Sequence, residues 1–333
     1  MVGRASNGAA VLTIDRDAFL PTLRLAAQVA RRHSAMPIVG HVHLSAADGV
    51  LRACATDLAT YADMRVAAAG DLAPICAPAR LLADVVASLP AGHVSIGAGK
   101  DDDGNPRLVV SGGNYHARLV TIAARDFPKM IVPAHTEMIA TWRTAIDLIN
   151  AAARATVVAD PRATHAFASG VWIGVSDDDA WRVVGIDGHH LIWIGALANE
   201  AVRWICVPVC AVKAAQALVP GPAGDADDAV IVRVGTDPHT IVFDTSDGAR
   251  TLTARAIDAE FPPLGDVIPA RDQLAAMVGR EALAGAIQRV AGAVHEGAVV
   301  IDGAPGEESE GVNGGSARVT AEDEWTAASE DIA

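Results

Sequence analysis

Histidine, aspartate and cysteine are the side chains able to do chemistry in this sequence, and their spacing decides what chemistry that is. Asp187 and His189 lie two apart in Ile186-Asp187-Gly188-His189-His190-Leu191, as an acid/base pair would, yet no Ser or Cys is placed by sequence to be activated as a nucleophile. His41 and His43 alternate, so on a strand they would share one face as two metal ligands. No third ligand stands at a suitable spacing, and a satisfied, partly buried pair is the simpler reading. Gly97-Ala98-Gly99-Lys100 ends like a phosphate loop, but Val94 replaces its first glycine and Asp101 its Ser or Thr. Cys206 and Cys210 straddle a strand-to-helix junction and read as small core residues. Asp101-Asp102-Asp103 and Asp177-Asp178-Asp179 read as solvated hairpin tips rather than cation sites. The sequence therefore predicts a non-catalytic protein with no cofactor and no metal.

The frame that would position such residues is globular. At 333 residues, 51% apolar and 20% charged, the chain can bury a core spread over two or three domains. No apolar run reaches the roughly 20 residues of a membrane-spanning helix, and Met1 to Ala10 lacks the stretch of a secretory signal, so a cytoplasmic location is expected. Four cysteines with no Cys-x-x-Cys pair fit a reducing compartment. A net charge of −14 argues at first against a nucleic-acid partner. Residues 296 to 333, however, set ten acids against Arg318 alone, which leaves the first 295 residues at −5.

Internal repetition carries more than any motif. Pro74-Ile75-Cys76-Ala77-Pro78, leading to Leu89-Pro90, returns as Trp204-Ile205-Cys206-Val207-Pro208, leading to Val219-Pro220, at an offset of 130. Ala46 to Asp57 matches Ser176 to Asp187 at the same offset, and Phe127-Pro128 returns as Phe261-Pro262 at 134. A third copy begins after Pro269: Glu281 to Ala293 repeats the helical pattern of Trp142 to Ala155, and Gly297 to Ile301 and Ala317 to Val319 echo strands of the second copy. Each copy reads as antiparallel strands plus two helices, an α+β domain. Asp17 is expected to cap a helix to Arg32, Asp48-Gly49 to turn a hairpin, and helices are expected over 78–89, 137–155, 208–219 and 280–293. These five helices sum to +4 while the remainder sums to −18, so helices sharing one face would present a basic surface. Residues 303 to 316, rich in Gly, Glu and Ser, read as a loose loop.

The ordered set of Met36-Pro37-Ile38-Val39-Gly40, Ala55-Thr56-Asp57-Leu58, Ile186-Asp187-Gly188-His189-His190-Leu191, Glu260-Phe261-Pro262 and Val267-Ile268-Pro269 resembles the bacterial DNA polymerase III beta subunits, the β sliding clamps. The resemblance spans residues 9 to about 325. It implies tandem clamp domains at 9–133, 134–269 and 270–333, the last shortened, with sheets outside and two helices per repeat inside. It further implies a homodimeric ring that encircles double-stranded DNA without reading sequence and tethers the polymerase III catalytic subunit and the clamp loader. DNA-proximal positions would be Arg24, Arg32, His33, Arg80, Arg162 and Phe167. A peptide pocket would take Ile186, Gly188, His189, His190 and Leu191 as one wall and Pro262 and Val267 opposite. His33, His190 and Asp266 stand where the family commonly carries Arg. The rival reading is a clamp-like protein-binding module that does not encircle DNA.

Overall fold

The computed structural model describes residues 11–31, 34–129, 133–176, 181–195, 202–219, 230–236, 239–264, 279–293, 299–304, 316–322 and 327–332. Backbone contacts divide the chain into two units, Met1–Pro262 and Pro263–Ala333.

The first unit opens on strand β1 (Val11–Asp15), whose period of two sends Leu12 and Ile14 into the core. Asp15, rather than Asp17, caps helix α1 (Arg16–Val29), because its carboxylate accepts the free amides of Asp17 and Ala18 at 2.9 and 3.0 Å. The helix stops at Val29, short of Arg31. Ala30 turns extended, and the Arg31 amide bonds to the Val39 carbonyl instead of continuing the spiral. Strands β2 (His41–Ala47) and β3 (Val50–Thr56) form the expected hairpin, with Asp48 and Gly49 at φ 54° and 79°. After β4 (Thr60–Ala67), β5 (Leu72–Pro78) and helix α2 (Ala79–Ser88) come β6 (His93–Lys100), β7 (Pro106–Gly112), β8 (Tyr115–Val120) and the short β9 (Ile122–Ala123).

The same order then returns. It runs through β10 (Thr136–Thr141), α3 (Trp142–Ala155), β11 (Gly170–Ser176), β12 (Trp181–Ile186), β13 (Leu191–Gly195), β14 (Val202–Pro208), α4 (Val209–Ala215), β15 (Val230–Thr236), β16 (His239–Thr245) and β17 (Arg250–Arg255). Register repeats residue by residue. His43 lies opposite Cys76 on one side and Cys54 on the other, and Trp172 opposite Cys206 and Val184. The chain is thus an α+β protein built from tandem copies. Residues 137–141 depart from expectation: they are strand rather than helix, because β10 takes its ladder bonds from the distant β15. Residues 209–215 likewise make a shorter helix than expected, tightening into a 3-10 turn at Gln216–Leu218.

Among the described residues, nine strands join in one sheet, β10-β15-β16-β17-β4-β3-β2-β5-β9, so β17 of the second copy pairs with β4 of the first from Arg250↔Met64 to Ala254↔Thr60. Two four-stranded sheets, β1-β6-β7-β8 and β13-β12-β11-β14, complete the first unit. The helices pack as a row, α2 on α1, α1 on α4, α4 on α3, burying Leu23, Leu82, Leu148 and Val212 in one core with the sheets. Gly185 permits part of this packing: a Cβ there would stand 2.4 Å from the Ala155 carbonyl, so only glycine lets the end of α3 lie on β12.

The second unit holds helix α5 (Arg280–Ala291) and an antiparallel sheet of β18 (Val299–Ala304), β19 (Ser316–Glu322) and β20 (Ala327–Ile332). Ala286 and Val290 of α5 bury against Val319. The ends of the expected 303–316 loop are strand instead, Gly303 pairing with Ala317 and Ala304 with Ser316. Residues 305–315 lie outside the described residues.

Candidate functional site

The Asp187 turn is a small machine for fixing backbone. β12 ends at Ile186 and β13 starts at its ladder partner Leu191, leaving four residues to reverse the chain. Gly188 supplies the required φ of 94°. Asp187 Oδ1 accepts the amides of His189 and His190 at 2.7 and 2.6 Å, and Oδ2 pairs with His190 Nδ1 at 2.9 Å. The carboxylate's partner is therefore the His190 ring, not that of His189. With its oxygens committed to the turn, it is a structural group rather than a general base. The bond to the His190 ring, followed by the two amides, holds the Asp187 carboxyl well below the usual carboxylate range. A depressed folded pKa contributes stability that is complete above the ordinary carboxylate value of about 3.9 and is lost as pH falls through the lower folded value. The side-chain carboxyl carbon resonance of Asp187 is accordingly expected to keep its ionised position down through about pH 4 and to move to the protonated one only below it. A midpoint at the ordinary carboxylate value in an NMR titration would contradict this.

Ile186 is buried, Leu191 half-buried, and Gly188, His189 and His190 exposed, so the turn presents a polar rim over an apolar base. Pro262 follows Phe261, whose ring stacks on Trp204 with centroids 3.8 Å apart and 2° between planes. Trp172 meets Phe261 edge-on, and Trp193 of β13 meets Trp204 edge-on. This aromatic set ties Pro262 to the strand that leaves the turn. Sequence reasoning missed it, although the repeated Phe-Pro at 127 and 261 was its signal. Val267 and Asp266 lie outside the described residues.

Of the other expected positions, Arg24 is exposed midway along α1, on the stripe it shares with Pro21 and Gln28. Arg80 is half-buried in the first turn of α2 and borders a groove of about 660 Å³ with Arg31, Met36, Pro37, His41 and Leu81. Arg32 and His33 lie outside the described residues. Arg162 and Phe167 occupy the loop between α3 and β11, apart from that groove. The Arg162 amide bonds to Asp160, and the Phe167 carbonyl receives the Trp172 indole N–H at 2.8 Å. Further along the helix row, Arg143 and Arg154 of α3 and Lys213 of α4 are exposed, offset by Asp17, Asp84 and Asp147, so the row is only modestly basic. Arg16 serves a different purpose: its guanidinium donates to the Val86 and Ala87 carbonyls and so closes the C-terminal end of α2.

The remaining candidates fall to geometry. Gly97 to Lys100 is strand in β6, paired with β7, and cradles nothing. Asp101 accepts the amides of Asp103 and Asn105 and pairs with Arg107, the work of a hairpin tip. Asp177 to Asp179 lie outside the described residues. His41 Nδ1 bonds to the Pro37 carbonyl, but the buried His43 Nδ1 has no hydrogen-bond partner among the described residues, correcting the expectation of a satisfied pair. Burial depresses the His43 pKa, and its ring packs on Phe127 at 5.4 Å. Burial pushes the Cys206 thiol up to about 12, as suits a core residue, whereas Cys210 is exposed. Among the described residues no three His, Cys, Asp or Glu side chains gather to hold a metal, and no helix is long and apolar enough to cross a membrane.

Comparison with known proteins agrees with this architecture. A family model for the DNA polymerase III beta subunit, N-terminal domain, matches residues 10–131. The beta sliding clamp of Caulobacter vibrioides is 30% identical over 292 residues, covering 84% of this chain and 74% of that protein. That of Pseudomonas putida is 28% identical over 285 residues, covering 84% and 73%. A solved C. crescentus beta sliding clamp superposes with a TM-score of 0.75 at 26% identity, over 98% of this chain and 84% of that one. With tandem copies, residue-level register and a relative at this identity in agreement, the chain belongs to the bacterial beta sliding clamps, the non-catalytic processivity subunits of DNA polymerase III.

Proposed function

We propose that this chain forms a homodimeric ring around double-stranded DNA, with clamp domains at 9–133, 134–269 and 270–333, and works in the bacterial cytoplasm. Arg24, Arg32, His33, Arg80, Arg162 and Phe167 contact or approach the phosphate backbone. The wall from Ile186 to Leu191, with Pro262 and Val267 opposite, receives an apolar side chain from a short peptide of the polymerase III catalytic subunit or the clamp loader. The observation that supports this reading best is the single row of helices α2, α1, α4 and α3, on which Arg24, Arg143, Arg154 and Lys213 stay exposed in an otherwise acidic chain. Modest charge suits the task, because a ring holds DNA by enclosure and needs phosphate contact only weak enough to slide.

Loading the purified protein on nicked circular DNA with a clamp loader, then linearising the DNA, is the decisive assay. Retention on circles, release from linear DNA and a mass of about twice the 34.2 kDa chain are expected. A monomer that circles do not retain would instead identify a protein-binding module that does not enclose DNA.

A further inference from the structure

We propose that the first unit carries a second peptide-docking cleft, between its two copies, for an extended segment that presents one aliphatic side chain beside a carboxylate. The proposal rests on reading the Asp187 turn as a peptide-binding wall, because the cleft is built on that turn's internal duplicate. Thr56 pairs with Tyr61 across the first turn as Ile186 pairs with Leu191 across the second. Asp57 Oδ1 accepts the amides of Ala59 and Thr60 at 3.0 and 2.6 Å, the same two positions that Asp187 holds. The next residue is left-handed in both, Leu58 at φ 80° and Gly188 at φ 94°. Pro128 follows Phe127 as Pro262 follows Phe261, and Phe127 packs edge-on against Tyr61.

Thr253 and Arg255 of β17 supply the opposite wall, fixed by a bond from the Arg255 amide to the Ala59 carbonyl at 2.8 Å. The walls enclose about 100 Å³, against a share of about 30 Å³ for a single water, which is room for one branched side chain. Leu58 sits at the rim, 48% exposed, in a backbone region that disfavours it. An apolar side chain held there at a conformational cost, and left half in water, points to a contact made by something outside the chain. Lys129 and Arg255 stand at the same cleft, both exposed, and neither is in an ion pair among the described residues. Two uncommitted cations beside an apolar slot complement a carboxylate next to an aliphatic side chain.

The full chain, labelled for NMR, titrated with the probe N-acetyl-Ala-Leu-Asp-Ala-amide, tests this. Saturable shifts are expected at the amides of Leu58, Ala59 and Thr60. They should weaken at least tenfold when Asn replaces Asp in the probe, and equally in the Lys129→Glu, Arg255→Glu double variant. Leu58→Gly relieves the backbone, so it should keep or raise the melting temperature while weakening the probe tenfold, a combination that a purely structural Leu58 would not give. Silent amides at 58–60, or shifts that survive both the Asn probe and Leu58→Gly, would overturn the proposal. The amides of Gly188 to His190 report the other turn separately, so failure there is not confused with failure here.

Discussion

Replacing Arg24, Arg32 and Arg80 together by glutamate is expected to make DNA association weaker and much less sensitive to salt. Each phosphate neutralised by a cation contributes about 0.9 to the slope of log affinity against log salt concentration, so losing three contacts should flatten that slope by about 2.7. At low salt, affinity for a nicked circle should fall at least about tenfold, because three phosphate contacts are lost and the new carboxylates repel phosphate. Arg24 is exposed on α1 and Arg80 opens α2, and these two helices pack on each other, so the reversals should act on one surface rather than on scattered sites. Arg24 and Arg80 are not the core anchors of their helices; Leu23 and Leu82 are, and they remain. Circular dichroism should therefore show an unchanged fold. A variant that binds across the salt series as the parent does would remove α1 and α2 from the DNA-facing surface.

Leu191→Asp should abolish capture of a peptide from a polymerase III catalytic subunit, with a loss of at least about thirtyfold, corresponding to about 2 kcal/mol for an anchor in a desolvated pocket. Leu191 is half-buried at the first rung of β13, opposite Ile186. A carboxylate at that place would face an apolar partner side chain without a hydrogen-bonding group, and would stand near the already ionised Asp187. Leu191→Met, which keeps volume and polarity, should bind within a few-fold of the parent and so separates lost contact from lost fold. Undiminished affinity in the Asp variant, measured by fluorescence anisotropy, would take the wall from Ile186 to Leu191 out of the peptide site.

Much of the fold was legible because duplication leaves the same local chemistry in two places. The Pro-Ile-Cys-Ala-Pro and Trp-Ile-Cys-Val-Pro segments became equivalent strands β5 and β14, with Cys76 and Cys206 at equivalent ladder positions. Asp48-Gly49 was readable from its residue types alone and turns the expected hairpin, whereas Asp187, read as half of an acid/base pair, proved to hold a turn. What escaped was non-local. Residues 137–141 carry enough apolar side chains to suit either period, and only pairing with β15 decides for strand. The stacking of Phe261 on Trp204 joins residues 57 apart in sequence; the repeated Phe-Pro marked Phe261 but not the ring it would meet. In the candidate site, the choice of His190 over His189 as the ring partner needed the three-dimensional turn. The two turns have also diverged: Gly188 meets its φ freely, while Leu58 meets nearly the same φ against its own preference.

The rungs that join β17 to β4 have a mechanical meaning. A seam stitched by backbone bonds along Arg250 to Ala254 cannot swing like a tether, since any bend there must shear all its rungs together. The two copies it joins therefore move as one body, and bending between them requires the ladder to break.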